Sequence, residues 1–182
     1  AVAKLVAVGA PGKDSDEGAV YIYDTDDNGY TYSSEVKIES NTGSGGDKFG
    51  SVVSLSNEIV AISAPEDTEY SGGTAADSGT VEIWQRFLTQ APSTYQWRFQ
   101  SKLSGSTGGL NFGKDISLDR DTLAVCVPGY VNADRSNGAI IIYKGTGSSW
   151  VQSQVIPTPL DVNENGENGW GEKVHLKGNY LI

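Results

Sequence analysis

The chain has 182 residues, 23 of them glycine, a formal net charge of −10 and a sequence pI of about 4.4. That charge makes nucleic acid and anionic membrane surfaces poor partners, and leaves cations or basic protein surfaces as better ones. No apolar run reaches the length of a membrane-spanning helix. The single cysteine, Cys126, excludes an internal disulfide and sits in an apolar run, where a thiol serves as a small hydrophobe. The chain has no methionine, even at position 1, which suggests a processed or excised piece, and no Asn-x-Ser/Thr acceptor for N-glycosylation.

In chain order, the first run, 4–10, is apolar and stops at Gly9-Ala10-Pro11. An acidic loop, 12–17, leads to Gly18, which opens a strand over 19–23, and a further strand is predicted over 30–38. The second copy begins at Phe49-Gly50. Val52 and Leu55 alternate with serines, a tight turn follows at Ser56-Asn57, and 59–63 is apolar throughout, as in a strand buried on both faces. Pro65 ends that strand because proline cannot donate to a ladder. After a polar loop, 66–78, Gly79 opens a strand in which Val81 and Ile83 alternate with Thr80, Glu82 and Trp84. A linker holding 91–93 leads to a strand with Tyr95, Trp97 and Phe99 on one face. The third copy opens at Phe112-Gly113 and repeats the order: strands near 114–119, 122–127, 139–144 and 150–156, with Cys126-Val127-Pro128 as the stop and Gly138 opening the third strand. A last aromatic-Gly pair, Trp170-Gly171, starts one more strand.

Gly18, Gly79 and Gly138 lie 61 and 59 residues apart, and Phe49, Phe112 and Trp170 lie 63 and 58 apart. A period near 60 made of four short strands indicates radial or solenoid repetition. The predicted fold is all-β, with about three propeller blades of four antiparallel strands, roughly 1–46, 47–109 and 110–168, and 169–182 starting or completing a blade. The chain starts at the second strand of a blade and ends just after the first strand of another. Either the two ends complete one blade, or the array continues. Three blades are too few to close and would leave sheet edges open. A piece of a larger propeller is therefore expected, or association of several copies.

The aromatic-Gly and Gly-Ala-Pro elements resemble the FG-GAP repeat family, whose repeats are similar to the propeller head of integrin α-subunits and occur in secreted microbial and algal proteins. The resemblance runs over nearly the whole chain. It implies an extracellular or cell-surface location and a role in adhesion, ligand binding or assembly. Ser63, Val127 and Trp170 depart from the pattern. The Asp-rich calcium loop of integrin-type repeats, between the first two strands of a blade, has no room here, because those connections are short turns.

Two other segments carry the spacing of a calcium-binding loop. One has Asp24, Asp26 and Asn28, with Glu35 at its far end. The other has Asp161, Asn163, Asn165 and Glu167, ending at Glu172. Calcium takes six to eight oxygens around a sharp turn, which Gly29 and Gly166 would permit. Yet 24–35 also reads as a hairpin and 161–172 as a solvated acidic crossover. The loop 12–17, with Asp14, Asp16 and Glu17, is a weaker third place for an ion. Ca2+ is thus a possible ligand, and no other cofactor is indicated.

Nothing in the chain builds a hydrolytic triad or a histidine-rich zinc site, since His175 is the one histidine, placed by strand alternation on the polar face or in a central channel. No catalytic residue is assigned, although carboxylate pairs for glycoside hydrolysis are unreadable from sequence. The aromatics of the third and fourth strands suit packing between blades better than sugar stacking, while Tyr30, Tyr32 and Tyr70 lie nearer loop tips.

The expected function is a non-enzymatic extracellular or cell-surface binding module acting through the loops 12–17, 66–78 and 129–137. Its partners would be proteins or glycans of the cell surface or matrix, or further blades and copies of itself. Alternatives are a structural repeat in a filament or coat, and an accessory domain of a secreted hydrolase or lyase.

Overall fold

A computed structural model describes residues 5–25, 31–70, 73–90, 94–131, 138–159, 170–178 and 180–182. The fold is all-β. The first sheet holds β1 (Leu5–Ala10), β2 (Ala19–Thr25) and β3 (Tyr32–Ile38) in that order. The second is four-stranded, β4 (Val53–Ser56), β5 (Ile59–Ala64), β8 (Thr80–Leu88) and β9 (Tyr95–Ser104), with a small ribbon of β6 (Glu69–Tyr70) and β7 (Gly73–Thr74) inserted in its loop. The third repeats it with β10 (Ile116–Asp119), β11 (Thr122–Val127), β12 (Ala139–Thr146) and β13 (Ser149–Pro157). Finally β14 (Leu176–Lys177) pairs with β15 (Tyr180–Leu181). All pairings between these strands are antiparallel. The ladder between the last two strands shifts register at the equivalent place in each of these three sheets, beside Ile22, Ile83 and Ile142. These are blade-like sheets of one repeated design.

The sequence motifs are the devices that join one sheet to the next. Phe49 and Phe112 are fully buried, each wedged among strands of two consecutive sheets. Their backbones are captured too: Phe49 N–H donates to Glu17 O at 3.0 Å, and Phe112 N–H to Ser78 O at 3.0 Å. The next glycine N–H reaches the small-residue-Pro strand, Gly50 to Ser63 O (2.9 Å) and Gly113 to Cys126 O (3.0 Å). This interlock explains the strand-opening glycines. Gly79 has φ +76°, and a Cβ there would lie 2.2 Å from Phe112 O; the equivalents Gly18 and Gly138 meet Phe49 O and Trp170 O at 2.1 and 2.2 Å. Only glycine allows both the backbone angle and the approach.

A second set of links joins the innermost strands. Ser54 and Ser56 accept hydrogen bonds from Leu118 N–H and Arg120 N–H, both at 2.9 Å. One sheet further on, Asp115, Ser117 and Asp119 accept from Val174, Leu176 and Gly178 N–H at 2.9, 2.9 and 2.5 Å. An inner strand is an edge of its own sheet, and these side chains satisfy N–H groups that would otherwise lack partners.

Because sheets stack on both faces, strand alternation does not mark exposure here. Thr80 and Glu82, which alternate with the apolar residues of β8, are each 1% exposed. The expectation for β5 holds: from Val60 to Ala64 it is buried on both faces. Cys126 is buried, and burial pushes its thiol up to about 12, so it packs as a neutral hydrophobe. His175 is exposed; its backbone exchanges hydrogen bonds with Ile182.

Candidate functional site: the loop rim

Strand order puts the loops after the proline stops and the crossovers between sheets at one end of every sheet. The hairpin turns lie at the other. At the loop end, the turn Lys13–Asp16 is left-handed, with Asp14, Ser15 and Asp16 at φ 52°, 63° and 64°. Three consecutive non-glycine residues in this region cost about 1–2 kcal/mol each. Asp16 O is held by Lys48 N–H (2.8 Å) and Gly46 N–H (3.2 Å), and Gly18 N–H closes on Lys13 O (2.9 Å). In the second sheet, Asp77, also left-handed at φ 50°, accepts from Asn111 N–H at 2.8 Å. Asp14 takes Lys13 at 2.8 Å and Lys37 at 3.6 Å, and the Lys13 hydrogen bond leads in drawing its carboxyl below the usual range.

Behind the second loop is a buried polar network. Asp67, nearly inaccessible, accepts from Thr80 Oγ1 (2.7 Å) and Glu69 N–H (2.8 Å) and pairs with Lys102 Nζ (2.9 Å). Lys102 also donates to Glu69 and to Thr42 Oγ1, both at 2.6 Å. Burial works to lower the Lys102 pKa, but its bonds to Glu69 and Asp67 outweigh it and the net direction is up. Asp47 is buried under Ser44, whose N–H donates at 2.6 Å. Burial raises Asp47's pKa against that bond. Glu82 receives Ser40 Oγ (2.7 Å), Asn41 N–H (3.0 Å) and Trp84 Nε1 (2.9 Å), and burial again sets an upward shift. Lys48 bridges to Glu66 at 2.7 Å on the outside. The loops of the first and second sheets are thus both fastened to the crossover that joins those two sheets.

Of the residues proposed for calcium, Asp26, Asn28, Asp161, Asn163, Asn165 and Glu167 lie outside the described residues, as does loop segment 132–137. Glu172 is exposed beside Gly171. Asp24 is ion-paired with Arg86 of the second sheet, and Glu35 accepts from Tyr23 OH at 3.1 Å. Among the described residues no group of three or more His, Cys, Asp or Glu side chains is placed to hold a metal ion. Sequence reading missed the network of Asp47, Asp67, Glu82 and Lys102. The signal for it was Glu82 between Val81 and Ile83, where the matching positions of the other copies are Tyr21 and Ile141.

Residues 32–81 match the protein-family model of the FG-GAP repeat. The match runs from β3 to the start of β8 and so includes Phe49-Gly50 and Ser63-Ala64-Pro65, from the interlock between first and second sheets, and Gly79, from the next interlock. Over those residues the chain is similar to an FG-GAP repeat, and the sheets around them are blade-like. No curated protein matches it. Among the described residues no helix is long and apolar enough to cross a membrane.

Proposed function

We propose that the chain is a non-enzymatic binding module of an extracellular or cell-surface protein, and that it engages its partner through the loop rim. The observation that carries this reading is the left-handed turn Lys13–Asp16. Strained non-glycine backbone persists only where its surroundings fix it, and such strain clusters at recognition sites. Here the neighbouring crossover fixes it, so the turn is presented rigidly, and rigid loops lose little entropy on binding. The FG-GAP repeat supports an adhesive role by likeness. The exposed Asp16 and Asp77 favour a basic protein surface as partner.

The test is attachment of cells, or of matrix proteins of known charge, to the immobilised chain. Asp16→Asn with Asp77→Asn removes two charges and keeps a residue tolerant of left-handed backbone. Attachment that falls at least about tenfold, and that weakens with added salt, fits the reading. Attachment by neither protein, or equal attachment by both, overturns it.

A further inference from the structure

A second place suited to a ligand lies at the opposite end of β2 and β8 from the rim. A cavity of about 300 Å3 opens between the first two sheets. Its walls are aliphatic on the first sheet (Leu5, Ile22, Val36) and aromatic on the second (Tyr95, Trp97), with Asp24 and Arg86 set among them. The Arg86 side chain is 2% exposed, paired with Asp24, with its guanidinium carbon 3.6 Å above the Tyr95 ring and Nη1 3.6 Å from Glu58. Among the described residues, the buried side-chain atoms without a hydrogen-bond partner are Asp24 Oδ1, Glu58 Oε2 and Arg86 Nη1. All three belong to this cluster. Arg86 Nη1 and Glu58 Oε2 face each other as an ion pair, which leaves Asp24 Oδ1, on the cavity wall, as the buried acceptor that a ligand hydroxyl would satisfy.

The fold does not require this arrangement. Counting from the strand-opening glycine, the third copy has Gly145 where the second has Arg86. A Cβ on Gly145 would lie 2.8 Å from the Trp150 ring, and Trp150 is buried there. In the third sheet the indole of Trp150, cross-strand from Gly145 as Trp97 is from Arg86, lies against a position that has no side chain, where the second sheet sets a guanidinium. Tyr95 is 50% exposed at the cavity lip, whereas Trp84 and Trp97 of the same sheet pack against the core.

From these features we infer that the cavity binds a neutral saccharide unit. Asp24 on the wall, with Glu58 also paired to Arg86, leaves the cluster net negative and disfavours an anion, and the buried guanidinium disfavours a cation. What remains is a neutral molecule with an apolar C–H face for the aliphatic and Tyr95 walls and hydroxyls for the charged edge, where a carboxylate accepts and a guanidinium donates. The volume is at the low end for ligand sites, which suits one ring rather than a long chain. This site is separate from the rim and does not depend on the rim's function.

The test is titration of the whole chain with a panel of neutral mono- and disaccharides, followed by tryptophan fluorescence and calorimetry. At least one sugar is expected to saturate. Tyr95→Ala weakens that sugar at least tenfold while the chain still unfolds in one cooperative transition, and Trp97→Phe reduces the fluorescence response while heat is still released. The rim variant Asp16→Asn/Asp77→Asn binds the sugar as the parent does. Saturation by no member of the panel, undiminished binding by Tyr95→Ala, or loss of sugar binding in the rim variant overturns the inference.

Discussion

The junction between the first and second sheets and that between the second and third share one backbone plan but use opposite chemistry at its centre. At the first, Asp47, Asp67, Thr80, Glu82 and Lys102 form a buried polar cluster. The matching positions at the second, counted from the same motif glycines, prolines and aromatics, are Leu110, Tyr130, Ala139, Ile141 and Val155. The strand register agrees, since Glu82 faces Lys102 just as Ile141 faces Val155. Leu110 and Ile141 are buried in one apolar cluster with Tyr130 and Val155 packed on it. The backbone interlock therefore tolerates either filling, and what it shares is the glycine-aromatic geometry. Satisfied polar networks fix one arrangement of their partners more narrowly than apolar contacts do. That suits the first junction, which holds the loops of the proposed rim.

The largest effect should come from what the junctions share. Gly79→Ala forces a Cβ against Phe112 O and a left-handed alanine. A loss of about 3–5 kcal/mol or outright failure to fold is expected in chemical denaturation. Gly12→Ala, where the nearest atom to a Cβ is 3.6 Å away, serves as the control and should be nearly silent. Equal stability of the two variants would mean that the interlock does not hold the sheets together.

Next come the fillings themselves. Glu82→Ala strands three donors, on Ser40, Asn41 and Trp84, and should cost about 2–4 kcal/mol. Ile141→Ala should cost a similar amount for a different reason, the cavity left in an apolar cluster. The two separate in the response to rescue. Combining Asp47→Leu, Asp67→Tyr, Thr80→Ala, Glu82→Ile and Lys102→Val installs the second junction's set in the first. By analogy with buried ion pairs replaced by packed hydrophobes, stability should return to within about 1 kcal/mol of the parent or exceed it. Denaturation midpoints of the single and combined variants decide this. A combined variant as weak as Glu82→Ala would show that the junctions are not interchangeable.

Much of this architecture was legible in the residues. The recurrence of Gly18, Gly79 and Gly138, and of Phe49, Phe112 and Trp170, marks the sheets because every junction needs the same close backbone approach. The unbroken apolar run of β5 announced burial on both faces. The burial of Thr80 and Glu82 was not legible, because period-two alternation reports which face a residue occupies and not whether that face meets water. Here both faces meet another sheet. Arg86 and Asp24 come together across 62 residues, and no local pattern encodes such a pairing. The rim's left-handed turn was equally hidden, since Asp14, Ser15 and Asp16 form an ordinary polar loop in sequence.

Lys102→Met tests the polar junction more gently. It removes the cation from between Asp67 and Glu69 while keeping most of the aliphatic stem. The loss should be about 1–3 kcal/mol, because Asp67 stays buried and keeps Thr80 and the Glu69 N–H as donors. The Val155→Met change at the matching apolar position should cost less than about 1.5 kcal/mol.

The smallest effect is a pH dependence confined to the polar junction. Burial raises the pKa of Glu82 and Asp47 above 4.5 and 3.8, so the folded state holds their protons to higher pH than the unfolded chain does. Where the folded state binds more protons, stability falls as pH rises. For these two groups, stability is greatest below the ordinary carboxylate pKa, declines as pH climbs through the raised values, and is flat beyond. Denaturation midpoints between about pH 4 and 8 should show that decline in the parent, with other carboxylates contributing equally to parent and variant. Glu82→Gln with Asp47→Asn should flatten the slope, whereas Ile141→Val, at the apolar junction, should lower the whole curve without changing its shape. A slope that survives the double substitution would place the titration outside the junction and remove the chemical contrast drawn between the two.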